Sequence, residues 1–84
     1  MRALKKARRI IETEPTSPIA QHLASLVLAL EAEGSFELAN LYQVDMEAFD
    51  LMIEMLKEWR LDRYYAGKAK LFDLSVQARS LTAQ

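Results

Sequence analysis

Cysteine is absent and histidine occurs once, at position 22. Without thiols the chain has no disulfides, no thiolate nucleophile and none of the common Cys/His zinc sites, so a reducing, cytoplasmic setting is expected. A lone His22 reads as an ordinary helix histidine, and neither metal nor cofactor is expected. Serines and acids occur without a histidine in a suggestive arrangement, so no paired nucleophile and base stands out and no enzyme activity is expected. Long apolar runs are also missing. The longest, Ile19 to Leu30, is interrupted by Gln21, His22 and Ser25 and falls short of the roughly 20 residues that cross a bilayer. Arg8 and Arg9 are followed only by Ile10 and Ile11 before Glu12. No signal-peptide apolar region follows the basic start, and export is not expected.

Glycine and proline number two each, so each one punctuates the chain. Pro15 disfavours helical geometry in Glu14 and removes a backbone donor. Ser17 is a good N-cap, and Pro18 suits the first helical position. Gly34 is placed to end the following helix as a left-handed cap. Gly67-Lys68 has the form of a two-residue hairpin turn with glycine first.

The 84 residues, 51% of them hydrophobic, suffice for one domain with one core, since domains usually run to roughly 100 residues or more. A domain of this size is often marginal alone, so association with itself or with a partner is expected. Net charge is only -1 but unevenly spread. Residues 1 to 11 hold Arg2, Lys5, Lys6, Arg8 and Arg9 and no acid; residues 12 to 62 hold eleven acids against Lys57 and Arg60; residues 63 to 84 hold Arg63, Lys68, Lys70 and Arg79 against Asp73. Such a chain attracts itself, start to middle, or a partner of either sign.

Periodicity predicts a basic amphipathic helix within residues 1–14, with Ala3, Leu4, Ala7, Ile10 and Ile11 on the apolar side. A helical core is expected over 17–62. It comprises a helix from Pro18 to about Glu33, buried on more than one side, a short helix from Phe36 to Tyr42 capped by Ser35, and a long helix from Met46 to about Trp59 capped by Asp45. Phe49, Met52, Ile53 and Leu56 supply the inward face of the last. Beyond it Tyr64, Tyr65, Leu71 and Phe72 favour strand, and folding about Gly67-Lys68 pairs Tyr64 with Leu71 and Arg63 with Phe72. A helix through Leu71, Leu74, Ala78 and Leu81 competes with that reading. We take the hairpin over 63–74, with Ser75 capping a short C-terminal helix or tail over 75–84. Trp59 and Tyr64 then close the core between long helix and hairpin.

Helix, short helix, tight turn, long helix and hairpin is the order of a winged helix-turn-helix. Glu37-Leu38-Ala39 followed by Tyr42, Val44 and Asp45 resembles the E-L-A-x-x-L-x-V-S stretch of bacterial and archaeal winged-helix regulators. Phe49, Ile53, Leu56 and Leu61 fall where that family keeps the buried face of its second helix and the leucine after it, although Arg60 replaces the usual glycine. Leu74-Ser75 resembles the L-T that closes the wing. The resemblance implies a mainly α fold with a small β-hairpin and a second helix that enters the DNA major groove.

With Phe49, Ile53 and Leu56 inward, the outward stripe of that helix is Glu47, Asp50, Leu51, Glu54 and Glu58, spaced i, i+3, i+4, i+7 and i+11. Phosphates repel carboxylates, and the common base-reading types Arg, Lys, Asn and Gln are missing from it. Like charges four residues apart also repel one another, by about 0.2–0.5 kcal/mol per pair. The expected function is therefore a non-enzymatic adaptor or regulator whose Glu47, Asp50, Leu51, Glu54, Met55 and Glu58 meet a protein with a basic surface. The chain's own residues 1 to 11, in cis or from a second copy, are one such surface. The alternative is a DNA-binding regulator that contacts phosphates through Arg2, Lys5, Lys6, Arg8 and Arg9 and through Arg63, Lys68 and Lys70 of the wing.

Overall fold

A computed structural model describes residues 2–32, 34–61 and 67–82. They form five helices, α1 (Arg2–Thr13), α2 (Pro18–Ala32), α3 (Ala39–Tyr42), α4 (Met46–Leu61) and α5 (Gly67–Thr82), with no strand among the described residues.

Two helix starts follow the capping chemistry read from the sequence. Ser17 Oγ accepts the Ala20 amide at 3.2 Å while its hydroxyl donates to the Glu14 carbonyl at 2.8 Å, and Pro18 is the first helical residue. Asp45 Oδ1 accepts the Ala48 amide at 2.8 Å at the start of α4. Two other boundary readings are corrected. Gly34 donates to the Ala29 carbonyl at 2.9 Å, closing the end of α2, but its φ lies outside the left-handed region. Ser35 caps nothing, because α3 begins only at Ala39, behind Leu38 and without a side-chain cap.

Helix α2 is the centre of the assembly. Its buried residues, Ala20, Leu23, Ala24, Leu26 and Val27, face more than one direction, as expected, and α1, α4 and α5 all pack on it. Ala3, Leu4, Ala7 and Ile11 form the buried side of α1, with Lys5, Lys6 and Arg9 exposed. Helix α5 makes the most extensive contact with α2. Gln21, near the start of α2, donates its Nε2 to the Ala78 carbonyl near the end of α5 at 2.8 Å, so the two helices run in opposite directions. The same amide donates to the Pro15 carbonyl at 2.7 Å, and Arg79 Nη1 donates to Gln21 Oε1 at 3.0 Å. This one side chain fastens the α1–α2 turn to the end of the chain.

The expected hairpin is not formed. Tyr64 and the other residues of 62–66 lie outside the described residues, but from Gly67 to Thr82 the chain is helical, so Gly67-Lys68 opens a helix and Leu71 and Phe72 cannot be wing strand. Leu71, Ser75 and Ala78, at i, i+4 and i+7, are buried, with Leu74 partly buried beside them. That spacing is helical. A two-stranded hairpin is marginal by itself, whereas a helix presents this whole stripe to α2, so tertiary packing overrides the local strand preference of the aromatics. The architecture is therefore all-helical among the described residues and not a winged helix-turn-helix.

Ser75 is the one buried polar residue of the core among those described, and its Oγ donates to the Leu71 carbonyl at 2.8 Å within α5. It is a helix-interior residue, not the cap expected from the sequence. Ser75→Ala should thus change stability by less than about 0.5 kcal/mol, where loss of an N-cap would cost about 1 kcal/mol. Ser75→Leu, facing the close α2–α5 contact, should cost about 1–3 kcal/mol through overpacking. A Cβ at Gly34 would meet nothing within 4 Å, so Gly34→Ala should be neutral or stabilising, by up to about 1 kcal/mol. Urea denaturation followed by circular dichroism measures all three.

Candidate protein-binding surface

The site expected on α4 depends on the rotation of that helix, and the rotation differs from expectation. Ala48, Leu51, Met52 and Met55 are buried, while Phe49, Ile53, Leu56 and Trp59 are only partly so. The inward stripe is displaced by one residue from the expected one, a turn of about 100° at 3.6 residues per helical turn. Leu51, 9% exposed, and Met55, fully buried, are core residues and not docking contacts.

The carboxylates remain outward, but α1 lies beside them. Glu58, half-buried in the penultimate turn of α4, accepts the Ala3 amide through Oε2 at 2.8 Å and the Leu4 amide through Oε1 at 3.1 Å. One carboxylate thus satisfies two of the four orphan donors at the start of α1 and meets the positive end of its dipole. Further along, Lys6 Nζ lies 3.8 Å from Glu47 Oε1, an exposed pair of small energetic value. The groove between the two helices holds roughly 630 Å³ and is lined by Arg2 and Lys6 on one wall and Glu47, Asp50, Glu54 and Glu58 on the other. Glu54 also pairs with Lys57 at 3.2 Å on its own helix. The bases along the acidic row are thus Arg2 and Lys6 of α1, in cis, and Lys57 of α4 itself.

Of the residues assigned to DNA contact, Arg2, Lys5, Lys6 and Arg9 are exposed on α1, and Arg8 sits 3.6 Å from Glu12 on the same helix. Lys70 is exposed on α5, not on a wing. Arg63 and the Lys68 side chain lie outside the described residues. Among the described residues no group of three or more histidines or acids is placed to hold a metal ion, and no helix is long and apolar enough to cross a membrane.

A different surface stands out around α3. Leu38, Tyr42 and Met46 are exposed to 67%, 78% and 69%. The Tyr42 ring stacks on Phe49, with centroids 6.5 Å apart and planes 22° from parallel. Leu38 also borders an apolar groove of roughly 190 Å³, whose walls are Leu26, Ala29 and Leu30 of α2, Gly34 and Phe36 of the connection, Leu41 of α3 and Leu56 of α4. Reading Leu38 and Tyr42 through the helix-turn-helix resemblance assigned them structural roles and hid this surface. The signal that reveals it is the brevity of α3: in a four-residue helix only Leu41 turns inward, which leaves its apolar neighbours outside.

No protein-family model, curated protein or solved structure matches the chain.

The carboxylate of Glu58 has a measurable structural role. Glu58→Gln, which keeps the size but removes the charge and one acceptor, should destabilise the protein by about 1–2 kcal/mol. Asp50→Asn, in the same row but exposed, should stay within about 0.5 kcal/mol. Equal effects of the two on the urea midpoint would contradict the capping role.

Proposed function

We propose that the protein is a non-enzymatic binding module that engages a protein partner through the apolar surface of α3 and the adjoining start of α4. The observation that carries this reading is the occurrence of Leu38, Tyr42 and Met46, all more than half exposed, within nine residues, with Leu38 at the lip of an apolar groove. Scattered exposed apolar residues are ordinary, but contiguous patches rimmed by polar residues mark interaction sites. Large apolar and aromatic side chains are also the common anchors of protein interfaces. Exposed Glu37 and Asp45 lie beside Leu38 and Met46 in the chain. The acidic row of α4 lies instead along the groove shared with α1, and Leu51 and Met55 hold the core together. A cytoplasmic setting belongs to the same reading and is supported by the lack of cysteine.

Selection of helical peptides from a displayed library against the whole chain tests the surface without assuming a partner. Peptides recovered on the native protein should lose roughly tenfold or more in affinity for a Leu38→Ser, Tyr42→Ser variant, with its helical circular dichroism intact. Binders that ignore both substitutions would contradict the assignment.

A further inference from the structure

Resting on the protein-binding reading above, we infer that the occupant of the α3 surface is an amphipathic helix of a partner protein whose apolar face is flanked by lysine or arginine. Three features of the surface select that chemistry. At roughly 190 Å³ the groove beside Leu38 is smaller than the ~300–1,000 Å³ of small-molecule sites. It suits one or two large apolar side chains that anchor a longer element across Tyr42 and Met46. Among the described residues there is no strand, so this surface has no sheet edge for strand addition to use. The remaining apolar mode, a helix laid in a groove with anchors at i, i+3 or i+4, and i+7, matches an anchor pocket continued by a flatter apolar patch.

Charge selects the flanks. From Glu12 to Leu56 the chain contains no lysine or arginine; Glu31 and Glu37, each next in the chain to a groove-lining residue, are exposed, as is Asp45 beside Met46. The C-terminal end of α2 adds the negative end of its dipole: no base lies in its last turn, and Ala29 and Leu30 of that turn region line the groove. The described cations nearest the groove along the chain are Lys57 and Arg60, past Leu56 on α4, and Lys57 is paired with Glu54 at 3.2 Å. Complementarity therefore asks for a positive partner.

The same charges disfavour a second copy. A two-fold contact would set the patch against itself, bringing Glu37 and Asp45 against their like. The basic helix α1 of another copy cannot fill the groove, because Leu4, Ala7 and Ile11 are buried in its own core.

The test uses the full chain and two fluorescent peptides of about 15 residues, long enough to hold helical structure, with one leucine pattern flanked by lysines in the first and by glutamates in the second. The lysine peptide should bind at least roughly tenfold more tightly, more weakly as salt is raised, and should lose that affinity to Leu38→Ser, Tyr42→Ser. A Glu31→Lys, Glu37→Lys variant should reverse the preference. Indifference to peptide charge with dependence on Leu38 and Tyr42 intact overturns the inference and leaves the binding surface standing. Lysine-peptide binding untouched by Leu38→Ser, Tyr42→Ser overturns both, as does failure of both peptides to bind. Concentration-dependent dimerisation by sedimentation, abolished by Leu38→Ser, would make a second copy the occupant and overturn the inference.

Discussion

Every other long helix of this protein leans on α2. Its apolar residues, Ala20, Leu23, Ala24, Leu26 and Val27, point in more than one direction, and burying them on folding is the main favourable term available to so small a chain. Each direction needs its own cover, and a helix supplies a continuous ridge of the right length. Helices α1, α4 and α5 are those covers. Both helices of the most extensive contact bury small side chains, Ala20 and Ala24 on α2 and Ser75 and Ala78 on α5, and helix separation follows the size of the side chains between. Gln21 adds directed bonds to the Pro15 and Ala78 carbonyls.

That constraint explains which features could be read from residues and which could not. The caps at Ser17 and Asp45 are local, settled by a side chain and an amide three residues away, so they were legible. The extent of α1 and α2 was legible as well, because a continuous amphipathic or apolar pattern runs between punctuating residues. The region after residue 66 was not. Phe72 and the preceding tyrosines favour strand locally, and the helical stripe of Leu71, Ser75 and Ala78 contains two small residues that carry little weight until α2 is known to lie against them. The rotation of α4 was hidden for another reason. Met46, Phe49, Leu51, Met52, Ile53, Met55, Leu56 and Trp59 surround the helix on most sides, so hydrophobicity alone leaves several orientations open, and the one read from helical spacing, with which the family resemblance agreed, lies a residue away from that adopted.

The two flanks of α4 end up with opposite character. On one, carboxylates and the bases Arg2 and Lys6 of α1 line a shared groove, and Lys6 pairs with Glu47. On the other, a helix of only four residues leaves Leu38, Tyr42 and Met46 in water beside an apolar groove. The candidate recognition surface lies on the side that the chain does not cover, where exposed Glu37 and Asp45 are its acidic neighbours in the chain.

Glu58 is separated from the Ala3 and Leu4 amides it holds by 55 and 54 residues. The first helix is thus seated by a residue that only the folding of the intervening chain can bring to it. Such long-separation contacts form late and slowly. Until they form, the apolar side of α1, Ala3, Leu4, Ala7 and Ile11, lacks the cover that α2, α4 and α5 give it in the folded protein.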